Sequence, residues 1–362
     1  MNKTRQKLTA FLRQCKNEQI PRRAIDCGLL SSFEILPGLF RGSVVQRVVL
    51  AIPGQGCSLF RRPQGGCLHC GLFSDGITSP ESDQEQVLSA FADNLNRHDF
   101  SRSPVLCIYV PGSFLDDQEI GPEIRRAIIL LVAQKTKIKK VIFETLPQFI
   151  TAPKIRELIS VLGNKEIEIA VGLDSADDQI RDLCINKSFS LRTFGQSCVL
   201  LQRHEIRFSA FALLKPPFLT EQESISDTIL TAQYAFNKGA AAVSLEPNTV
   251  QENTFVWNLF RKNMYRPPWL WSIIEVIKQL PPGRELRIGG MVVYPRAIQS
   301  AYNCDRCTSG IWQKIQEYNL KQDKDIFTGL DCNCKNKWHE ELHIENPPLP
   351  ERIGNILNEL SR

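Results

Sequence analysis

The hydrophobic positions of this chain fall into short, dense runs separated by longer stretches of helical period. From residue 45 onward, runs rich in Val, Ile, Leu and Phe stand at VVLAIP, VLCIYVPG (105–112), KVIFET (140–145), IEIAVGLD (167–174), RFSAFALL (207–214), AAVSLEP (241–247) and, more weakly, LRIGGMVVY (286–294). Runs this short and continuous read as strands buried on both faces. Between them, apolar residues recur every three or four positions over 84–96, 120–135, 153–162, 225–238 and 270–280, which predicts helices. Strands alternating with helices predict an α/β fold with a parallel sheet, a partial or full (β/α) barrel.

The flanks differ. Residues 1–42 read as an N-terminal helical extension, a helix over 3–16 followed by an irregular segment. Arg5, Arg13, Lys16, Arg22 and Arg23 make it basic, and a solvated face is expected there, with an RNA contact as the alternative. The barrel is expected over 43–295, and 296–362 form a C-terminal Cys-rich metal-binding region.

Polar residues collect where the runs end. They are Gly112, Ser113, Asp116 and Asp117 after the second run, Glu144 and Thr145 at the third, and Asp174 and Ser175 at the fourth. Lys215 follows the fifth, and Glu246 and Asn248 the sixth. In a barrel all these positions share one face, where such folds place their chemistry. A lone Asp174 or Ser175 would read as a helix cap; the convergence is what points to a site.

The first run feeds directly into GQGCSLFRRPQGGCLHCG, which carries Cys57, Cys67 and Cys70. Three thiols are an odd number for disulfides. A structural zinc needs four closed ligands, and His69 sits in a cramped position between two cysteines. Three thiolates can also hold an iron–sulfur cube with one iron left open, and a loop rich in Gly and Pro folds over such a centre at little steric cost. The position after the first barrel strand favours the cluster.

Composition sharpens this picture in two respects. Twelve cysteines in 362 residues are many, and seven of them lie in two groups. The second group, Cys304, Cys307, Cys332 and Cys334, fits the four-cysteine pattern of a structural zinc, with a second cluster or unliganded thiols as alternatives. Cys107, inside a strand, reads as a small hydrophobe. The first twenty residues are polar and basic, and no apolar run reaches membrane-spanning length, so a cytoplasmic protein without a membrane partner is expected. The formal charge of +5 permits an RNA partner without requiring one.

Two further patterns carry less. His339-Glu340-Glu341-Leu342-His343 matches a zinc-protease motif, but IENPPLP ends the helix at once, so the match reads as accidental. Trp257, Phe260, Arg261, Lys262, Tyr265, Arg266, Trp269 and Trp271 could stack unpaired bases or simply pack a loop on the barrel.

Together, GCSLFRRPQGGCLHCG, PGSFLD, FET, GLDS with Arg181 and Ile185-Asn186-Lys187, and LLKPPFLTE resemble the radical S-adenosylmethionine (SAM) superfamily from about residue 45 to the C-terminus. The likeness is to the branch that includes the Elongator catalytic subunit, and within it to the radical SAM subunits of archaeosine synthase (the RaSEA type). The Cys-x9-Cys-x2-Cys spacing departs from the commonest pattern of the superfamily and fits this branch; no acetyltransferase-like domain follows. The resemblance implies a 4Fe–4S cluster on Cys57, Cys67 and Cys70, with SAM on the fourth iron. It implies backbone contacts to the methionine amino group of SAM from Gly112 and Ser113, polar contacts to SAM from Glu144 and Asp174, and, more weakly, carboxylate or phosphate contacts from Lys187 and Lys215; the loop residues Arg61 and Arg62 could approach phosphates or the SAM carboxylate. It implies SAM cleavage and use of a 5′-deoxyadenosyl radical on a lysine-adducted 7-deazaguanine in tRNA. The implied partners are tRNA, a lysine-installing archaeosine synthase subunit, and a flavodoxin- or ferredoxin-type electron donor. The competing readings are the same chemistry on a small-molecule precursor, and a zinc-stabilised RNA-binding protein without catalysis.

Overall fold

The computed structural model describes residues 3–18, 32–52, 56–72, 82–289 and 297–361. Eight strands form one sheet in chain order: β1 (Ser32–Phe40), β2 (Ser43–Ala51), β3 (Val105–Tyr109), β4 (Lys140–Thr145), β5 (Glu166–Asp174), β6 (Arg207–Leu214), β7 (Ala242–Pro247) and β8 (Glu285–Ile288). β1 runs antiparallel to β2, and every later pairing is parallel. The sheet forms a half-barrel with helices around it.

Parallel neighbours require long crossovers, and helices fill them. Those helices are α2 (Ser82–Arg97), α3 (Pro122–Gln134), α4 (Ala152–Leu162), α5 (Asp178–Ile180, one turn), α6 (Leu191–Arg203), α7 (Glu221–Asn237), α8 (Phe255–Arg261) and α9 (Leu270–Gln279). α1 (Lys3–Glu18) precedes the sheet, and α10 (Thr308–Lys321), α11 (Cys334–Leu342) and α12 (Leu349–Leu360) follow it. No helix among the described residues is long and apolar enough to cross a membrane.

Alternation along each strand separates two faces. Val48, Leu50, Leu106, Ile108, Val141, Phe143, Ile169, Val171, Phe208 and Val243 pack under the helices in the main core. The other face holds a small apolar cluster, Val49, Val105, Cys107, Ile142 and Ala170. Around it stand charges that the reading of strands buried apolar-on-both-faces did not anticipate. Glu168 is fully buried and binds Lys140 at 2.6 Å and Arg287 at 2.7 Å. Glu166 reaches Lys140 at 3.2 Å and Arg207 at 3.5 Å, and Glu285 meets Arg287 at 2.7 Å. Pairing is what lets charges sit inside a half-barrel. This ion-pair network occupies the N-terminal ends of the strands. A cleft of about 700 Å³ opens beside it, lined by Arg41, Lys140, Glu166, Arg207 and Glu285, at the end of the sheet away from the cysteine loop.

The irregular segment expected before residue 42 is corrected in part: residues 32–40 are strand β1. Pro37 and Gly38 disguise it, because proline reads as a turn in sequence but is tolerated on an edge strand. The weak run at 286–294 is a strand only over Glu285–Ile288, and residues 290–296 lie outside the described residues. The expected solvated basic face of α1 is also corrected at Arg5. Its guanidinium donates to Asp182 O and Asn186 Oδ1, both at 2.8 Å. Arg22 and Arg23, and the side chain of Lys16, lie outside the described residues.

Candidate functional site

The cysteine loop, residues 56–72, lies at the C-terminal end of β2 and is tied down from four directions. Leu68 is buried with Leu8, Leu183, Ile185, Phe255 and Leu357, so α1, α8 and α12 all pack onto it. Its N–H donates to Ile185 O at 3.1 Å, and its carbonyl accepts from Val256 N–H at 3.2 Å. Asn186 Nδ2 donates to the carbonyls of Gln64, Gly65 and Gly66, at 2.7 Å to the last. Asn186 is left-handed (φ 68°), a conformation asparagine tolerates better than most residues. Arg62 donates to Asn186 O at 2.8 Å, and Gly71 N–H to Gln251 Oε1 at 2.5 Å.

The fourth tie is Glu119. Its carboxylate accepts from Ser58 N–H at 2.8 Å and from Ser113 N–H at 2.7 Å, joining the cysteine loop to the loop after β3. A Cβ at residue 112 would collide with that carboxylate, which is why glycine stands there. Burial, opposed by those two amides, pushes the Glu119 carboxyl up to about 7.

Hydrogen bonds and charge link several of the polar strand ends. Phe114 N–H donates to Glu144 O at 2.9 Å, and Ser113 Oγ, wholly buried, accepts from Leu146 N–H at 3.0 Å. β5 ends in a register shift between Gly172 and Asp174, and Asp174 takes φ 66°. That turn brings Asp174 Oδ2 to 2.5 Å from Lys187 Nζ. The pair lies within the electrostatic reach of Cys67 and His69. Burial first, then the charge of Glu246 on β7, pushes Glu144 up to about 8, with Lys187 opposing. Asp174 and Lys187 thus lie beside Cys67, Glu119 ties Ser113 to Ser58 of the cysteine loop, and Glu144 lies within reach of Lys187; this group is the candidate site.

Lys215 does not reach it. Its ammonium is buried against Glu221, and its carbonyl accepts from Tyr265 Oη at 2.7 Å and Asn248 Nδ2 at 3.0 Å. Arg61 donates to Gln118 O at 3.1 Å. Glu119 and the anchoring role of Asn186 were missed in sequence. Asn186 had a signal, an asparagine breaking a short apolar run; a carboxylate returning from six residues beyond Ser113 had none.

The titration of Glu144 is testable. Its folded value of about 8 lies above the ordinary glutamate value of about 4.5. Between these values the native protein holds a proton that the unfolded chain has released, so stability falls as pH rises through that window. Glu144→Gln is expected to melt with wild type near about pH 4.5 and progressively above it toward about pH 8. Thermal melts across that range check this, and a gap that does not widen with pH would contradict it.

The donor set fits an iron–sulfur cluster. The three thiols act on one another: burial, then Glu119 and Cys67, pushes Cys57 up to about 12, and burial followed by Cys67 and Cys57 raises Cys70. Buried thiols of this kind take up their anionic form when a cation binds them. A cube takes its thiolates on separate irons, and three thiolates leave one iron open. His69 Nδ1 is buried between them without a hydrogen-bond partner among the described residues, and burial holds the imidazole down to about 4, neutral.

The second cysteine group is drawn together on the far side of α9. Cys304, Cys307, Cys332 and Cys334 place their sulfurs within 4.8 Å of one another, the one such metal-capable set among the described residues. His339 lies in α11 and His343 caps its C-terminus, outside that set. The aromatic stretch divides. Trp269 and Trp271 are core residues at 5% and 3% exposure, so they are not base-stacking platforms. Arg266 is stacked 3.7 Å from the Trp269 ring centre and 4.1 Å from that of Tyr302. Trp257, Phe260 and Arg261 stack on one another along α8.

No family model matches the chain. An archaeosine synthase subunit beta from Methanosarcina acetivorans is 32% identical over 283 residues, which cover 78% of this chain and 81% of that protein. The archaeosine synthase subunit beta of Thermococcus kodakarensis is 27% identical over 308 residues, 82% of this chain and 91% of that one. An uncharacterized protein of Methanocaldococcus jannaschii is 31% identical over 317 residues, 84% of each. Among solved structures, Methanocaldococcus infernus Elp3 with an N-terminal deletion overlaps with a TM-score of 0.45 at 15% identity, covering 67% of this chain and 59% of that one. Methylornithine synthase overlaps with a TM-score of 0.46 at 9% identity, covering 94% and 93%.

Proposed function

Since the chain belongs to the archaeosine synthase subunit beta family, we propose that this radical SAM enzyme carries out the lyase step of archaeosine formation on tRNA. Its substrate in this reading is a lysine-adducted 7-deazaguanine, and cleavage on the lysine side leaves the formamidine of archaeosine. The observation that carries the proposal is the 32% identity across 78% of the chain, joined to three half-buried cysteines in the loop after β2.

Cys57, Cys67 and Cys70 would hold three irons of a 4Fe–4S cluster, leaving the fourth for the amino and carboxylate groups of SAM. When bound, this pair supplies one electron and the 5′-deoxyadenosyl radical. The chain's own residues then have distinct tasks. Glu119 fixes the cysteine loop against Gly112 and Ser113 through two amide hydrogen bonds. Asn186 fixes its other arm. Lys187, held by Asp174, sets a positive charge beside Cys67 and Cys70, which favours the thiolate form of both. Glu144 and Asp174 offer carboxyl groups to SAM. Glu144, which holds its proton up to about pH 8, lies within electrostatic reach of Glu246, and the ammonium of a lysine adduct entering there would favour its carboxylate form and pair with it.

The test is anaerobic incubation of reconstituted protein with SAM, a reductant and tRNA bearing the lysine adduct, followed by nucleoside digestion. Archaeosine should appear alongside 5′-deoxyadenosine as the adduct disappears. Formation of 5′-deoxyadenosine with the adducted tRNA unchanged would overturn the tRNA reading and turn attention to a small-molecule substrate.

A further inference from the structure

We propose that Cys304, Cys307, Cys332 and Cys334 bind one zinc ion, as a closed structural site separate from the proposed SAM-binding cluster. The distances distinguish this from a disulfide and from a second cube. Sγ of Cys304 lies 3.6 Å from those of Cys307 and Cys332, and Sγ of Cys307 lies 3.5 Å from that of Cys334. Zinc–thiolate bonds of about 2.3 Å in a tetrahedron set neighbouring sulfurs about 3.8 Å apart. The four sulfurs are therefore already at the corners that a single ion requires. A disulfide would bring a pair to about 2.05 Å, far inside these separations. A second iron–sulfur cube would put each thiolate on a different iron and spread them beyond mutual contact.

The surroundings fit a structural ion. Four thiolates fill a tetrahedron and leave no open position for a substrate. Trp271 Nε1–H donates to Cys334 Sγ at 3.4 Å, an outer contact of the kind that orients a metal ligand. The same end of α9 is linked to the C-terminal segment three more times. Asn303 Oδ1 accepts from Leu270 N–H at 2.9 Å, Trp269 Nε1 donates to Glu341 at 2.8 Å, and Trp338 Nε1 donates to Ser272 Oγ at 2.8 Å. The ion would lock the two cysteine pairs, 24 residues of chain apart (308–331), against α9. α12 lies beyond that lock and packs in the same cluster as Leu68 of the cysteine loop.

The full-length protein, purified without oxygen, should contain one zinc per chain along with the iron of a single 4Fe–4S cluster. A mercurial reagent with a chromophoric chelator should release that zinc. Cobalt substituted for it should show the visible bands of a tetrahedral tetrathiolate. Cys332→Ser should lose the zinc and keep the visible absorption of the cluster. Iron sufficient for two clusters, falling by half in Cys332→Ser, would overturn the proposal in favour of a second cluster. Wild-type protein whose four thiols react freely and which holds no zinc would overturn it outright. If Cys332→Ser does not fold, the wild-type metal content and the cobalt spectrum decide.

Discussion

Cys70→Ala is expected to abolish 5′-deoxyadenosine formation and reduce the iron content of the anaerobically purified protein to background. The loop that carries Cys70 is fixed by its neighbours, so the variant loses a ligand without losing the scaffold. Leu68 stays buried among α1, α8 and α12, and Asn186 and Glu119 keep their amide and carbonyl contacts. Two remaining thiolates do not hold a cube. The drop in activity should exceed about a thousandfold, the scale seen when a group central to the chemistry is removed. Zinc content should be unchanged, because the C-terminal cysteines stand on α10, α11 and their flanking loops. Iron analysis, the visible spectrum and 5′-deoxyadenosine assay on the same preparation check this. Retained 5′-deoxyadenosine production would mean that this triad is not where SAM is split.

The alternation of apolar runs and helical periods made the parallel sheet legible because each strand carries a full apolar face toward the helices. KVIFET and RFSAFALL match β4 and β6 to the residue. Legibility failed where a second constraint outweighed pattern. β1 contains Pro37 and Gly38, and its edge position, invisible in one dimension, is what tolerates them. The charges of the concave face failed for a related reason. Glu168 and Arg287 are 119 residues apart, and nothing local announces that they meet. At the candidate site, Cys57, Cys67 and Cys70 were visible because their thiols cluster along the chain. Glu119 was not, because its partners are backbone amides, which carry no residue signature. Lys215 was read as a ligand-facing cation, whereas Glu221, the first residue of α7, pairs with it.

Glu168→Gln is expected to produce the largest loss of stability from any single substitution on the concave face. Glu168 is fully buried and sits between two cations, Lys140 at 5% and Arg287 at 21% side-chain exposure. Burial alone would raise its carboxyl, but Arg287 and Lys140 hold it far below the usual carboxylate range. Removing one partner of a buried ionic group leaves the others uncompensated and costs about 3–5 kcal/mol. In a chain of 362 residues this lowers the thermal midpoint by about 5 °C. The pH dependence follows from the depressed carboxyl: the contribution is present above the unfolded value and is lost as pH falls toward the folded one. Wild type and variant should therefore differ most at neutral pH and converge in acid. Thermal and urea unfolding across pH measure both quantities. A triple replacement of Lys140, Glu168 and Arg287 by apolar residues of similar volume should recover much of the loss, since well-packed apolar groups often match buried ion pairs. A Glu168→Gln penalty below about 1 kcal/mol would mean that the network is solvated through the adjoining cleft and contributes no more than a surface pair.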